Sequence, residues 1–218
     1  MGSKDAAPFD VGPGRDCALC PRLKSFRDAN RIAFPEWENA PVPSFGDPDA
    51  GLLIVGLAPG LRGANRTGRP FTGDYAGDLL YETLLALGFA AGTYDRRPDD
   101  GLRLVGSAIA NAVRCVPPQN KPTPGDIGAC RPFLKSTIGN LPKLRGILAL
   151  GRIAHDSVLR TFGAKLAAHP FVHGARHDIG SDLMLFDSYH CSRYNTNTGV
   201  LTKRMFADTL EKVRAYLR

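Results

Sequence analysis

The chain has 218 residues, 43% of them hydrophobic and 22% charged, which excludes a disordered tail or a fibre and leaves room for a real core. Its formal net charge is +7, a balance that suits a partner rich in phosphate. No run approaches eighteen apolar residues and the start Met1-Gly-Ser-Lys-Asp-Ala-Ala-Pro lacks an apolar leader, so neither a transmembrane helix nor a secretory signal is expected. The expected location is the cytoplasm.

Five cysteines, an odd number, point to metal or catalysis rather than disulfides in such a setting. In chain order, Cys17 and Cys20 form a Cys-x-x-Cys pair within an N-terminal extension over residues 1–50. Leu52 to Leu57 then reads as a buried strand and Tyr75 to Leu87 as a helix. Leu104 to Val113 is a second strand, and Thr123-Pro-Gly-Asp opens a helix reaching Ile138 with a hydroxyl cap, a first-turn Pro and an acid. Gly146 to Leu150 and Leu183 to Phe186 are further strands, followed by helices over Arg152 to Phe162 and Lys203 to Leu217. This alternation predicts an α/β fold with a mainly parallel sheet and helices on both faces, in one domain over 1–218. Chemistry in such folds sits in the loops at the carboxyl ends of the strands.

Three of those loops carry unusual residues. The loop from Gly56 to Asp74 has glycines, among them Gly56 and Gly60, that allow a ligand near the backbone, and Arg62, Arg66 and Arg69 that supply charge. Arg69 is read as a DNA contact. Phe71 fits a stacking platform for a base or a core anchor, and Asp74 ends the loop at a helix start, where it fits a helix N-cap. In the second loop, Asn111 offers a donor and an acceptor at a strand end, suited to a base edge or to the loop's own backbone. In the last, His190 can donate to a leaving group, and Ser192, Arg193, Asn195 and Thr196 are residue types that hold phosphate.

The stretches GLAPG (56–60), NRTGRPFTGD (65–74), NAVRCVPPQNKPTP (111–124) and SYHCSRYNTNTGVLT (188–202) lie in order over most of the chain and together resemble the uracil-DNA glycosylase superfamily, family 5 above all. The resemblance implies a three-layer α/β/α sandwich around a four-stranded parallel sheet. It implies a monomeric base-excision repair enzyme that hydrolyses the glycosidic bond of flipped uracil, with a roomy pocket that also takes hypoxanthine, xanthine or etheno-cytosine. Gly56, Ala58 and Gly60 would line that pocket, Phe71 would stack on the base and Asn111 would read its edge. His190 and Asp74 would be catalytic, with Asn120 orienting water or base. Leu57 stands where several sister families have a water-activating residue, which moves that role to Asp74. The resemblance also implies a structural [4Fe–4S] cluster on Cys17, Cys20, Cys115 and Cys130. Spacing alone leaves a four-cysteine zinc site open, because a Cys-x-x-Cys pair serves both. Cys191 falls in the last loop, where relatives carry a small residue or Pro, and is not expected to be a ligand. The rival reading is a non-catalytic, zinc-stapled nucleic-acid-binding module.

Overall fold

The computed structural model describes residues 9–218, so the start of the chain, read above for a leader, lies outside the described residues. A helix not expected from the sequence, α1 (Pro21–Ala33), begins with Pro at its first turn directly after Cys20. There follow β1 (Phe45–Gly46), β2 (Leu52–Gly56), the single-turn α2 (Ala64–Thr67), α3 (Tyr75–Ala86) and the small hairpin of β3 (Ala90–Ala91) with β4 (Arg103–Leu104). The second half runs β5 (Ser107–Asn111), α4 (Pro124–Gly139), β6 (Gly146–Leu150), α5 (Arg152–Thr161), β7 (Arg176–Asp178), β8 (Met184–Ser188), α6 (Arg193–Asn197) and α7 (Lys203–Leu217).

The sheet order is β1-β5-β2-β6-β8-β7. Its four inner strands are parallel, as expected, while β1 and β7 add short antiparallel edges that the apolar patterning did not reveal. Neither edge strand has an apolar run: Phe45–Gly46 is two residues long and Arg176-His-Asp178 is polar. The expected strand Leu104 to Val113 is split at Gly106, whose φ of +57° breaks the extended run between hairpin and sheet.

Side chains of the inner strands alternate between the two faces. Leu52, Ile54, Ile109, Leu148 and Phe186 pack on one face against Leu80 and Leu84 of α3 and Phe206 and Leu210 of α7. Leu53, Val55, Ala108, Ile147 and Leu185 pack on the other against Leu134 of α4 and Val158 of α5. Near-continuous apolar strands follow from burial on both faces. The start of α4 is a full capping box: Thr123 Oγ1 accepts from Asp126 N at 3.2 Å and the Asp126 carboxylate accepts from Thr123 N at 2.8 Å. The segment before Gly51 is packed into this body, with Phe9 in the second core and Asp10 bridging Arg114 at 3.0 Å.

Arg69 corrects one expectation. It is 5% exposed and its guanidinium meets both carboxylate oxygens of Asp100 at 2.8 Å, with the rings of Phe45, Tyr81 and Tyr94 around it. Its charge is spent on tying the first loop to the β3–β4 hairpin, so it is not presented to DNA. Burial opposes the Asp100 charge, yet Arg69 and the N–H groups of Asp95 and Leu102 hold that carboxyl well below the usual carboxylate range. Removing one partner strands the other. Arg69→Ala is expected to cost about 3–5 kcal/mol in urea unfolding; a loss below about 1 kcal/mol would mark the pair as no more than a surface bridge.

Candidate active site at the carboxyl edge of the sheet

In the parallel ladder Gly56, the last residue of β2, is level with Asn111, the last of β5. β6 and β8 end level with one another at Leu150 and Ser188. The residues just beyond these ends therefore meet along one edge.

Gly56 is the contact point. A Cβ there would lie 2.5 Å from Asn111 Oδ1 and 2.6 Å from Phe71 Cζ, so only glycine lets the carboxamide and the ring close over the strand end. Asn111 is buried at 3% exposure, and its carboxamide makes none of the side-chain hydrogen bonds found among the described residues, which leaves it free for a ligand rather than spent on its own loop. Phe71 has a left-handed backbone, φ +52°, sparsely populated for a large side chain. That conformation is over-determined: Tyr94 Oη donates to the Phe71 carbonyl at 3.2 Å, and Gly77 packs so near that a Cβ would overlap the same oxygen. Phe71 is thus a member of the main core whose ring also covers the Gly56 strand end, with His190 6.0 Å away between ring centroids.

His190 follows β8, its Cβ 3.6 Å from where a side chain on Gly151 would begin. Burial lowers its imidazole to a pKa of about 4, so at neutral pH it is an uncharged donor. Asn195 Nδ2 donates to the His190 carbonyl at 2.8 Å, Ser192 caps α6 through Asn195 N at 3.4 Å, and Thr196 Oγ1 reaches Tyr75 Oη at 3.2 Å. These three side chains hold the loop together. Arg193 is exposed, its guanidinium 5.2 Å from the centre of the Tyr75 ring. Tyr75, not singled out from the sequence, is what joins the last loop to α3; its position directly after Asp74 was the available signal.

Asp74 is the N-cap of α3, accepting from Gly77 N at 3.2 Å through Oδ1. Its other oxygen faces the glycine loop: Oδ2 is 3.0 Å from a Cβ built on Gly60, and Gly63 packs against the same atom. Burial pushes this carboxyl up, against the pull of the Gly77 and Ala76 N–H groups. The Asp74 charge also acts on Cys191, whose thiol is pushed up to about 12 by burial first and by that charge next. Asn120 sits exposed at the end of a single 3-10 turn with φ +56°, and none of the contacts joining Gly56, Phe71, Asn111 and His190 involves it. Ala58 packs toward the cysteines rather than toward Phe71.

Cys17, Cys20, Cys115 and Cys130 line one small cavity between α1, the second loop and α4. Their sulfurs are met by donors: Arg27 Nη1 approaches Cys115 Sγ at 3.5 Å and Arg114 N approaches Cys130 Sγ at 3.3 Å. Arg27 is 1% exposed, forms no carboxylate pair among the described residues, and its Nε has no hydrogen-bond partner. A buried cation with soft donors converging beside it suits an anionic thiolate-bound centre. Cys191 is fully buried in the main core and takes no part in this cavity.

Residues 43–214 match the model of the uracil DNA glycosylase superfamily. The chain belongs to that superfamily. A type-5 uracil-DNA glycosylase of Thermus thermophilus is 47% identical over 204 residues, covering 91% of this chain and 92% of the relative. Type-5 enzymes of Pyrobaculum aerophilum, at 37% identity with 92% and 88% covered, and of Mycobacterium tuberculosis, at 40% with 91% and 77% covered, are also similar. The type-5 likeness agrees with the motifs that carried the resemblance above. No helix among the described residues is long and apolar enough to cross a membrane.

Two outcomes test the pocket. Gly56→Ala is expected to displace Phe71 and Asn111, lowering stability by about 1–3 kcal/mol and ligand turnover by roughly tenfold to a hundredfold; unchanged turnover would mean the ring and carboxamide do not act together. The second concerns pH. An unfolded histidine titrates near 6.5, whereas His190 titrates near 4 in the fold, so the unfolded chain binds the extra proton between those values and stability falls as pH falls through that window. Urea midpoints of His190→Asn are expected to drop less than those of the parent from pH 7 to pH 4; parallel curves would show that the imidazole is not desolvated.

Proposed function

We propose that the protein is a monofunctional glycosylase that removes uracil from DNA as a single-domain monomer. The observation that carries the reading is the convergence of Phe71 and Asn111 over Gly56, with His190 beside the Phe71 ring and the second oxygen of Asp74 turned into the adjoining glycine loop.

A glycosylase acts on a nucleotide pulled out of the stack, which costs a few kcal/mol that backbone contacts must offset. Exposed Arg193 and Tyr194, on a short helix beside the pocket, are suited to that contact. Phe71 then stacks on the flipped base, and Asn111 satisfies its buried carboxamide on the Watson–Crick edge. As the C1′–N1 bond breaks, its electron pair passes to the uracil ring. Neutral His190 donates a hydrogen bond to the carbonyl oxygen that gains charge, as in an oxyanion site. Asp74 Oδ2 holds the water that adds to C1′ and stabilises the positive character of the sugar. The proton released by that water balances the base anion, leaving free uracil and an abasic site. The family 5 resemblance extends the proposed substrates to hypoxanthine, xanthine and etheno-cytosine.

Cys17, Cys20, Cys115 and Cys130 would hold a [4Fe–4S] cluster, whose contribution would be structural, tying α1 to the second loop and α4. Arg27 and the Arg114 N–H would balance charge on the cysteine sulfurs.

Three measurements decide the matter. Asp74→Asn is expected to keep the fold and DNA affinity while losing about a hundredfold or more of single-turnover uracil excision. Excision at the parental rate would reduce Asp74 to a helix cap. Purified protein is expected to contain iron and absorb near ~400 nm, whereas a colourless zinc protein that leaves uracil-containing oligonucleotides intact would favour the binding-module reading.

A further inference from the structure

Four of the five histidines lie away from His190, and two of them, His155 and His177, meet a single carboxylate. Asp187, in β8 three residues before His190, is fully buried. Its Oδ1 is 2.7 Å from His155 Nδ1, and its Oδ2 is 3.0 Å from His177 Nε2 and 3.3 Å from Val172 N. The other ring nitrogen of His155 faces the His169 carbonyl at 2.8 Å. A carbonyl only accepts, so His155 Nε2 carries a proton; burial opposes a charge on the ring, yet the Asp187 carboxylate at Nδ1 raises it above the ordinary histidine value. The Asp187 backbone is bound to the same segment: its N–H donates to the Ala175 carbonyl at 3.0 Å and its carbonyl accepts from Gly174 N at 2.8 Å. The separations are those of direct hydrogen bonds. A tetrahedral zinc ion with ligands at about 2.0–2.1 Å would hold its donors about 3.3 Å apart.

What this arrangement holds still is His173. The β6–β8 ladder ends at Ser188, so the Tyr189 N–H is the first beyond it. That N–H donates to His173 Nδ1 at 3.1 Å, and the His173 ring stacks on Tyr189 with centroids 4.9 Å apart and planes 17° apart. The Nδ1 atom can accept only while it carries no proton. Downstream, Asn195 Nδ2 holds the His190 carbonyl. His190 thus sits on a short tether fixed at both ends, although its imidazole makes no hydrogen bond of its own among the described residues.

We propose that His173 is a positioning residue for His190, and that Asp187, His155 and His177 form the buried clamp that keeps His173 in place. This rests on the reading of His190 as the donor to the leaving base. Tethering matters because a donor displaced by about 1 Å forfeits up to roughly a hundredfold in rate.

The test is single-turnover excision of uracil from a duplex oligonucleotide by the full chain, alongside affinity for the same duplex without uracil and circular dichroism. His173→Ala is expected to slow excision by about tenfold to a hundredfold with DNA affinity within about twofold, because the tether is lost but the DNA-contacting turn is not. His173→Asn presents an oxygen where Nδ1 stood and is expected to recover most of the rate. His173→Gln, of similar polarity but with its oxygen nearer the Nε2 position, is expected to stay slow. Equal rates for the Asn and Gln variants, or parental excision by His173→Ala, would overturn the proposal. His190→Ala runs beside them: if it excises at the parental rate, the donor reading itself fails, a result separable from failure of the tether alone. One equivalent of zinc in the parent that is absent from Asp187→Asn would replace the hydrogen-bonded clamp with a metal site.

Discussion

The register of the four parallel strands governs this molecule. Because β5 and β2 run level and β6 and β8 run level, Asn111, Gly56, Gly151 and His190 emerge along one edge without any long excursion of the chain. A one-residue slip would turn each side chain to the opposite face and scatter both core and pocket. The close approach at Gly56 then converts level strand ends into a site, since the absent Cβ is what lets Phe71 and Asn111 share the space above it.

Loops at such an edge gain little from the hydrophobic core, and here buried charge holds them. Arg69 with Asp100 fixes the first loop, Arg114 with Asp10 fixes the approach to the second, and His155 with Asp187 fixes the segment behind the last. Each pair joins stretches far apart in sequence. A buried pair is a weak source of net stability but exacts a large penalty when broken, so it favours one arrangement over its alternatives. Arg27 plays the same part for α1, its guanidinium meeting the Cys17 carbonyl and Cys115 Sγ. The pocket is therefore preorganised by contacts beneath it, while the groups facing it, the Asn111 carboxamide and the imidazole of His190, remain available to a ligand.

Several readings coexist where the sequence offered alternatives. Asp74 is a helix cap through one oxygen and faces the glycine loop through the other. Phe71 is a core residue and a pocket wall. Asn195 and Thr196, chosen as phosphate-binding types, brace their own loop, and Asn195 does so at the His190 carbonyl. Arg69 shows why charge in a loop is a poor guide alone: its fate depended on Asp100, thirty-one residues on.

By itself the sequence determined the alternation of strands and helices, the four inner strands, the capping box at Thr123 and the motifs that mark Phe71, Asp74, Asn111 and His190. These are local or periodic properties, written in apolar spacing, turn residues and cap chemistry within a few positions of one another. Tertiary structure alone decided which charges are buried in pairs, that Arg27 stands beside Cys115, that the short strands β1 and β7 close the sheet, and that His155 and His177 meet on Asp187. Those outcomes depend on residues brought together from distant parts of the chain, and no periodicity records which distant partner a side chain will meet.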